Sequence, residues 1–382
     1  MKSIDTLYVT RRDPHHFMGG IEKHIRAEIQ KKSKQNKSTA TLFIHQSEFK
    51  IRLHEIGGAP SEHISRRSDL ASLFQTHLQS ASRLELHHTM GFSPAELLTL
   101  STLSVPEREI FIHDFYLVTP STQFLYGPLK IKFCHVEKNL SRCNRCAQNF
   151  YGIKTDITTY RLKARELLAR FGRVVFPSAN ALSYFKEALE TSKVAVATDR
   201  WVVRPHDLTE YFSFTPPTER PLLQSIVFLG AFGPHKGLTT FLKTLIWLKG
   251  KGISAHLVGH SALAPLLRLL GLAKVHAYQS EAQLAEIFRR INPSTVAMPS
   301  IWPETFSYTF FEALLLSGPM AKIIVGPWGN PADFVRTWKC GIVMEDATFL
   351  SLKKAMRSSQ SFELEKKKAI KFLQSQSREL TN

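Results

Sequence analysis

The sequence predicts an α/β protein made of two Rossmann-like domains, each built on a doubly wound sheet. Its 382 residues fit two domains of ordinary size, and a hydrophobic content of 43% supplies their cores. Short β-branched runs alternate with helical patterns, which favours parallel strands joined by helices. Both halves open with a strand, a glycine loop and a helix, and the polar, proline-rich TPPTERP separates them. We therefore predict domains at 1–207 and 222–352, a linker at 208–221 and a helical tail at 353–382.

The first predicted strand, at 4–10, runs into a loop that ends in Gly19 and Gly20, just before a helix at about 21–31. Glycine allows the backbone to approach a ligand closely, and a helix N-terminus offers unpaired amides at the positive end of its dipole. This loop is therefore a candidate phosphate site. A diglycine turn is common, so its place directly after the first strand carries the hypothesis.

Histidines follow two later predicted strands of the first half. His87 and His88 end one of them, and His113 with Asp114 ends the other. Ligands of doubly wound sheets gather at the carboxyl ends of strands, which makes these side chains candidate binding residues. The alternative is a histidine that anchors a loop through hydrogen bonds, and we favour that interpretation for His87 and His88.

A cysteine cluster follows in the same half. Cys134, Cys143 and Cys146 are spaced C-x8-C-x2-C, and His135 lies beside the first of them. In an intracellular chain such cysteines are reduced or bound to metal rather than joined in disulfides. A structural zinc would take these three thiolates with His135 as its fourth ligand. The alternative is a set of reduced loop thiols.

The second half begins with a strand at 226–229 and the loop GAFGPHKG, from Gly230 to Gly237, before a helix. Lys236 stands at the helix entrance, where its charge can neutralise a diphosphate leaving group as it departs. The loop is neither a P-loop nor a complete G-x-G-x-x-G motif. By itself it does not identify a nucleotide site.

Residues 296–319, VAMPSIWPETFSYTFFEALLLSGP, predict a strand, a loop and a helix that begins just after Glu304. Thr305 and Ser307 are expected to cap the helix, and Glu312 to lie about two turns into it. The helix N-terminus suits phosphate, while the two carboxylates can accept hydrogen bonds from sugar hydroxyls. The alternative is an ordinary amphipathic helix with a solvated acid at each end.

This segment also carries a resemblance to a known family. The spacing of Glu304 and Glu312, followed by Gly318 and Pro319, resembles the E-x7-E motif of the retaining glycosyltransferases of family 4, which have the GT-B fold. The wording WPETFSYTFFEAL is similar to a bacterial subset that acts in surface-polysaccharide and O-antigen synthesis. The resemblance is most specific here.

Two further loops resemble the same enzymes, namely GGIEKH at 19–24 and GAFGPHKG at 230–237. Two departures stand out. Ala231 occupies the place of the family's arginine, which leaves Lys236 with more of the diphosphate's charge. Thr119 stands where members of the subset carry another cysteine, so an all-cysteine zinc site is incomplete.

The resemblance implies two Rossmann-like domains facing a cleft, with acceptor binding in the first, nucleotide-sugar binding in the second, and the tail packed back toward the first. It implies catalytic roles for Glu304, His113 and Lys236, with no cofactor required. The donor-binding residues that it implies are Gly19, Gly20, Gly230, Lys236, Glu304, Thr305, Phe306, Ser307 and Glu312.

Charge adds a constraint on partners. The chain carries 50 Lys and Arg against 32 Asp and Glu, a net charge of +18, which calls for an anionic partner. Nucleic acid, an anionic membrane face and phosphate-bearing substrates all qualify. The start of the chain lacks the pattern of a signal peptide, and no apolar run approaches a membrane span. We expect a cytoplasmic protein that is either soluble or peripheral on the inner face of the cytoplasmic membrane.

The resulting hypothesis is transfer of a hexosyl unit from a nucleotide sugar to a hydroxyl of a lipid-linked or surface glycan, with retention of configuration. A sugar phosphorylase or nucleotide-sugar hydrolase would use the same fold. A catalytically degenerate partner subunit is a further alternative, because Ala231 replaces the loop arginine. A basic nucleic-acid-binding protein with a zinc knuckle is disfavoured, because aromatic residues do not alternate with basic clusters and the cysteine spacing matches no complete zinc finger.

Overall fold

A computed structural model describes residues 3–17, 19–221 and 224–381. It divides into two units, each with its own sheet. The first unit comprises Met1–Thr122 and Val136–His206, and the second comprises Gln123–His135 and Asp207–Asn382.

Strands and helices alternate along most of the described chain. The strands are β1 (Ile4–Thr10), β2 (Thr39–His45), β3 (Glu48–His54), β4 (Ser61–Arg66), β5 (Ala81–Leu86), β6 (Glu107–Phe111), β7 (Leu125–Tyr126), β8 (Lys132–Phe133), β9 (Arg173–Phe176), β10 (Trp201–Val203), β11 (Ser225–Leu229), β12 (Ser254–Val258), β13 (Lys274–His276), β14 (Thr295–Met298), β15 (Lys322–Val325) and β16 (Ile342–Val343). The α-helices are α1 (Gly20–Lys34), α2 (Leu70–His77), α3 (Pro94–Thr102), α4 (Leu140–Tyr151), α5 (Ile157–Leu168), α6 (Ala179–Thr191), α7 (Leu238–Leu248), α8 (Ala264–Leu269), α9 (Glu281–Ile291), α10 (Tyr308–Leu316), α11 (Gly329–Trp338), α12 (Phe349–Arg357) and α13 (Glu363–Thr381). None of these helices, over the residues described, is long and apolar enough to cross a membrane.

The sheet of the first unit has the order β10-β9-β6-β5-β1-β2-β3-β4. In this spatial order, the six strands from β10 to β2 run parallel to their neighbours. Strands β3 and β4 add an antiparallel extension at the β2 edge. The strand order reverses between β1 and β5, which is the switch point where such sheets bind ligands. The predicted parallel sheet is present. The β3–β4 hairpin was not predicted, because β4 is a mostly exposed edge strand without an apolar run.

The sheet of the second unit is parallel throughout, in the order β13-β12-β11-β14-β15-β16. Its central strands β11 and β14 are buried along their whole length, as expected for a sheet covered by helices on both faces. The order reverses between these two strands. The loop after β11 and the loop after β14 therefore leave the sheet side by side.

The two units divide the chain between His206 and Asp207. The hairpin of β7 and β8 belongs to the second unit although it lies within the first half of the sequence. The segments predicted as a linker and a tail also belong to the second unit, where Tyr211 and Lys366 are buried. Packing of the tail toward the first domain stays a prediction.

Lys366 on α13 ties the tail to the end of α10. Its side chain is fully buried, and Nζ donates to the Ser317 carbonyl at 3.2 Å, to Ser317 Oγ at 2.7 Å and to the Gly318 carbonyl at 2.8 Å. The last carbonyls of a helix lack partners within it and carry partial negative charge. The lysine therefore caps the helix that carries Glu312.

We expect stability to rise with pH above neutrality because of this lysine. Burial lowers the pKa of Lys366 to about 7, against a small opposing effect of Cys340. Between that value and the usual pKa of ~10.4, the unfolded chain binds one more proton, so the free energy of unfolding increases by up to about 1.4 kcal/mol per pH unit. Urea midpoints at neutral and alkaline pH should show this rise in the wild type and in the exposed control Lys368→Met. A rise of the same size in Lys366→Met would contradict the assignment.

Candidate functional site

The glycine loop after β11 is packed directly on the loop after β14. Gly237 has φ 75°, and a Cβ at this position would overlap the Pro299 carbonyl oxygen. The Ile301 amide donates to the His235 carbonyl at 3.1 Å. These contacts hold the two loops together at the switch point of the second sheet.

Lys236 and Glu304 form an ion pair across these two loops. Nζ of Lys236 lies 2.8 Å from Oε2 of Glu304, and the two side chains are only 15% and 6% exposed. The sequence separates them by 68 positions. They meet because the strands that precede them are neighbours in the sheet. Removing one partner of such a buried pair leaves the other charge uncompensated.

Glu304 is held in its charged form. Burial would raise the pKa of Glu304, but the positive charge and hydrogen bond of Lys236, with hydrogen bonds from Ser307 and Ser300, lower it below the usual value. The carboxylate is thus ionised at neutral pH. The site combines a fixed cation with a fixed anion that can accept hydrogen bonds.

The start of the following helix differs from the prediction. The helix α10 begins at Tyr308, four residues after Glu304, and Ser307 occupies the N-cap position with φ 73° and no capping hydrogen bond from its side chain. Its hydroxyl lies 3.1 Å from Thr309 Oγ1 instead. The predicted helix start just after Glu304 and the predicted capping by the Ser307 side chain were therefore wrong.

Contacts with the start of α11 explain this later beginning. The Asn330 amide donates to the Glu304 carbonyl at 2.9 Å, and its side-chain amide donates to the Phe306 carbonyl at 3.0 Å. Gly329, with φ 84°, lies so close that a Cβ would overlap the Glu304 amide. These bonds hold the backbone of 304–306 out of the helix. Thr305 and Phe306 are buried there.

Glu312 lies in the second turn of α10 and is fully buried. Its Oε1 accepts a hydrogen bond from the Tyr211 hydroxyl at 2.8 Å. Burial, followed by the charge of Glu312, raises the pKa of Tyr211 well above its usual value, so the phenol remains a donor. The alternative of a solvated acid is excluded for Glu312. Tyr211 was not a predicted site residue, since nothing in its local sequence marks it.

Gly230, predicted to bind the donor, begins the glycine loop with φ 119°, and its amide donates to the Val258 carbonyl at 2.9 Å. Ala231, in the place of the family's arginine, is exposed. In the first unit, Gly19 is the N-cap of α1 and Gly20 is its first residue. A Cβ at Gly19 would overlap a carboxylate oxygen of Glu22. The Glu22 carboxylate therefore lies at the N-terminus of α1, the helix that carries it.

At the switch point of the first sheet, a hydrogen-bonded chain leads to His113. Nε2 of His87 lies 3.2 Å from Glu85 Oε2, and its Nδ1 lies 3.0 Å from His113 Nε2. Burial lowers the pKa of His87 to about 3, so its ring is neutral. Desolvation, and then the neighbouring histidines, lower the pKa of His113 well below its usual value. A neutral ring carries one proton, so each ring donates through one nitrogen and accepts through the other.

The proton state of Glu85 therefore sets the role of His113. An ionised Glu85 accepts from His87 Nε2, so His87 Nδ1 accepts from His113 Nε2, and Nδ1 of His113 is the acceptor. A protonated Glu85 reverses each bond and makes that nitrogen a donor. Burial and then the charge of Glu109 raise the pKa of Glu85 to about 7, against lowering effects of Arg83, Arg204 and Lys32. Glu85 was missed, although an acid inside an apolar strand was a usable signal.

We expect Glu85→Gln to change the pH profile of any activity that depends on His113. The glutamine keeps the shape of the side chain but does not titrate, so an inflection near neutral pH should disappear while the urea midpoint stays nearly constant. Glu107→Gln, at a solvent-exposed carboxylate on the neighbouring strand, is the matched control. Rate profiles across neutral pH measure the difference. An unchanged inflection in Glu85→Gln would contradict the proposed role.

Two further buried histidines surround this chain and were not predicted. His24 stacks on His206 with ring centroids 4.2 Å apart, and lies 5.3 Å from His87 and 5.6 Å from His113. Burial is the largest cause that lowers the pKa of both His24 and His206 well below the usual value. The result is a desolvated cluster of four neutral rings.

The other predicted pair, His88 and Asp114, has a local role. Nε2 of His88 lies 3.2 Å from Asp114 Oδ2, and its Nδ1 accepts from the Met90 amide at 3.0 Å. Asp114 also accepts from the Tyr116 amide at 2.9 Å. Such bonds fix the two loops that follow β5 and β6. This agrees with the favoured interpretation of His88 as a loop anchor.

The predicted zinc ligands lie in different elements. Cys143 and Cys146 are on α4, where Cys143 Sγ donates to the Glu137 carbonyl at 3.3 Å. The amide of Cys134 donates to the Phe124 carbonyl at 2.9 Å, and the His135 ring lies 4.4 Å from Phe133. Among the described residues, no group of three or more His, Cys, Asp or Glu side chains is arranged to hold a metal ion. Zinc binding by these residues stays a prediction.

Comparisons with known proteins identify the fold. No protein-family model matches the chain, and a comparison with curated sequences finds no match either. Among solved structures, HepE from Anabaena in complex with UDP and glucose has a TM-score of 0.61 at 13% identity, covering 97% of this chain and 95% of that one. Sucrose-phosphate synthase from Thermosynechococcus elongatus has a TM-score of 0.62 at 12% identity, covering 97% and 94%.

WaaG, a glycosyltransferase involved in lipopolysaccharide biosynthesis, is similar to the same extent, with a TM-score of 0.61 at 12% identity and coverage of 97% and 95%. At identities this low, structural similarity shows the fold alone. The function must therefore be argued from the residues. The chain has the GT-B fold of these glycosyltransferases, which confirms the predicted fold class.

Proposed function

We propose that this protein is a retaining glycosyltransferase of the family 4 type, which transfers a hexosyl unit from a nucleotide sugar to a glycan hydroxyl. The observation that carries the proposal is the buried pair of Lys236 and Glu304 between two loops at the switch point of a parallel sheet. Such a position binds nucleotides in open α/β sheets. The lysine beside the glycine loop supplies positive charge, and the carboxylate supplies hydrogen-bond acceptors.

Departure of the nucleoside diphosphate develops negative charge on its leaving oxygen and positive charge on the anomeric carbon. In the proposed mechanism Lys236 and the amides of the Gly230 loop stabilise the leaving oxygen. Glu304, ionised beside the lysine, orients the sugar and supports the positive carbon. The amides of 305–307 contribute further donors. Fixed charges of this kind act mainly on the transition state and so raise kcat.

Glu312 is proposed to bind the ribose. Its Oε1 is held by Tyr211 at 2.8 Å, which fixes the orientation of the carboxylate. Hydrogen bonds to a buried carboxylate are strong, and removing a hydrogen-bond partner from it costs free energy. Tyr211 is thus a positioning residue for Glu312 in this proposal.

In the first unit, His113 is proposed to contact the donor sugar through Nδ1, and Gly19 and Gly20 to approach it through their backbone. The histidine chain from Glu85 fixes the ring orientation. A neutral imidazole suits a hydroxyl, which both donates and accepts hydrogen bonds. The proposal needs no metal, since Lys236 supplies the charge that the leaving group requires.

The acceptor is proposed to be a lipid-linked or surface glycan, at the inner face of a membrane. Two observations support it, the net charge of +18 and the structural similarity to WaaG, a glycosyltransferase involved in lipopolysaccharide biosynthesis. Similarity to HepE, solved with UDP and glucose, supports a uridine-diphosphate hexose as the first donor to test. Nucleic acid has no place in this proposal.

The test is turnover of a panel of nucleotide hexoses with lipid-linked and soluble glycan acceptors, with release of the nucleoside diphosphate as the readout. We expect one donor to be consumed only when an acceptor is present. Proton NMR of the product should show the anomeric configuration of the donor retained. Acceptor-independent hydrolysis would indicate a hydrolase instead. An inverted product would contradict the retaining mechanism.

A degenerate, non-catalytic partner subunit is the second candidate, and Ala231 is the observation that favours it. This residue is exposed on the glycine loop, at the position where the glycosyltransferases of family 4 carry an arginine. Such a subunit would bind a nucleotide without turning over any donor. Restoring the charge with Ala231→Arg distinguishes the two, because a weakened transferase should gain activity whereas a partner subunit should remain inactive.

A further inference from the structure

One face of the second unit surrounds a tryptophan with positive charge. Nζ of Lys251 lies 5.5 Å from the centroid of the Trp247 ring, Nζ of Lys353 lies 5.4 Å from it, and Cζ of Arg357 lies 5.9 Å from it. Phe349 adds a second ring, whose centroid is 6.1 Å from that of Trp247. These residues come from α7 and the turn after it and from α12.

Helical periodicity explains why the three residues of α12 share a face. Phe349, Lys353 and Arg357 are spaced by four along this helix, while Trp247 lies in the last turn of α7 and Lys251 in the turn that follows it. Side chains at this spacing lie above one another on a helix. The opposite sides of both helices pack into the core of the second sheet through residues such as Phe241, Leu245 and Leu352.

Exposed aliphatic side chains flank the rings. Ile246 is 64% exposed and Leu350 is 71% exposed, each next in sequence to one of the two aromatic residues. We call the set of Ile246, Trp247, Lys251, Phe349, Leu350, Lys353 and Arg357 the Trp247 surface. Trp247, Phe349 and Lys353 are half-buried, and the other four side chains of this surface are exposed.

The three cations lack a counter-charge of their own. Across the described residues no ion pair is formed by Lys251, Lys353 or Arg357, whereas the neighbouring Lys354 is paired with Glu345. Because each lies within 6 Å of one ring centroid, they are at most about 12 Å apart, close to the screening length of roughly 8 to 10 Å at physiological salt. Their mutual repulsion would be relieved by an anionic partner.

We propose that the Trp247 surface docks the protein on an anionic lipid membrane. Lysine and arginine there would pair with headgroup phosphates, while Trp247 lies at the interface and Ile246 and Leu350 reach toward the acyl chains. The proposal rests on the membrane-facing part of the proposed function, to which it adds the face that binds. Transfer to a soluble acceptor does not depend on it.

Lipid fits this surface better than nucleic acid does. Single-stranded nucleic acid binds by stacking bases on open aromatic faces. Here cations already lie over the Trp247 ring, and nucleic acid gains nothing from exposed isoleucine and leucine. A bilayer provides a phosphate layer next to an apolar layer, so both chemical features find a partner at once.

The experiment is co-sedimentation of the full chain with phosphatidylcholine vesicles that contain about one-third phosphatidylglycerol, at low and high salt. The triple variant Lys251→Gln, Lys353→Gln, Arg357→Gln is expected to lower the apparent affinity at least about tenfold. Ile246→Ser with Leu350→Ser should lower it about threefold or more, even at low salt, because apolar insertion is lost. All the substituted side chains are exposed except Lys353, which is half-buried, and circular dichroism should show the native fold in both variants.

The matched control removes the same charge elsewhere, with Lys274→Gln, Lys368→Gln, Lys371→Gln, all exposed in the same unit. Equal loss of vesicle binding in this control would show that net charge, and not the Trp247 surface, drives binding, and would overturn the proposal. Unchanged binding in the first triple variant would overturn it too. A fluorescent oligonucleotide bound in preference to vesicles, and lost in that variant, would reassign the surface to nucleic acid. Turnover of a soluble acceptor by the triple variant separates this outcome from failure of the transferase proposal.

Discussion

Lys236→Met is expected to lower kcat about 10³-fold, with a smaller effect on KM, because the lysine acts on charge that develops in the transition state. The structural consequence is also definite. Glu304 would be left as a buried carboxylate without its cation, so its pKa should rise above the usual value. We expect a loss of a few kcal/mol in the free energy of unfolding, of the order of 3.

A double variant separates catalysis from stability at this pair. Lys236→Met with Glu304→Gln removes both charges, so it should recover most of the unfolding free energy lost in Lys236→Met while remaining inactive. Lys274→Met, at an exposed lysine of the same unit, is the control for loss of one positive charge. Steady-state rates and urea midpoints give both quantities. Wild-type turnover by a folded Lys236→Met protein would refute the leaving-group role.

Acid is expected to destabilise the first unit steeply. His24, His87, His113 and His206 all have pKa values below the usual one because of burial, and that of His87 falls to about 3. Below an unfolded pKa of ~6.5 the unfolded chain therefore binds more protons, and each imidazole lowers the free energy of unfolding by up to about 1.4 kcal/mol per pH unit. Glu85 acts in the opposite direction, because its raised pKa makes the folded protein bind a proton before the unfolded chain does. It is a single group against four imidazoles.

The variant His24→Phe tests this origin of acid sensitivity. In the part of the chain that the structure describes, neither ring nitrogen of His24 has a hydrogen-bond partner, so phenylalanine replaces a buried polar group without removing a bond. The urea midpoint should rise at neutral pH, and its decrease toward about pH 5 should be less steep than in the wild type. The exposed His45→Phe is the control. An identical acid slope in wild type and His24→Phe would rule out this contribution.

The fold was predictable because its determinants are local. Buried strands such as β11 and β14 are short apolar runs, and turn residues follow them, Gly230 after β11 and Pro299 after β14. The alternation of such strands with helical patterns indicated two doubly wound sheets. The β3–β4 hairpin was missed because an exposed edge strand lacks that pattern. The start of α10 was placed too early, since the backbone of 304–306 is held by α11, a contact that no local rule encodes.

The residues of the candidate site could be proposed one by one from the sequence, but their arrangement could not. Lys236 and Glu304 were each identified, yet their pairing depends on the adjacency of β11 and β14. Tyr211 reaches Glu312 across 101 positions of sequence, so nothing near it in the chain points to the site. Glu85 could have been identified from the local sequence, because it is a carboxylate at the otherwise apolar end of a strand, close to His87.

The central claim is that the second unit binds a nucleotide through the loop and helix that carry Glu312. Thermal stabilisation by a panel of nucleoside diphosphates and nucleotide sugars, on wild type, Glu312→Ala and the exposed control Glu286→Ala, measures it most directly. A ligand at 100 times its Kd stabilises the native state by about 2.7 kcal/mol. We predict that one nucleotide stabilises wild type and Glu286→Ala, and that Glu312→Ala loses the response. No stabilisation of folded wild type at millimolar ligand, or an undiminished response of Glu312→Ala, would contradict the account.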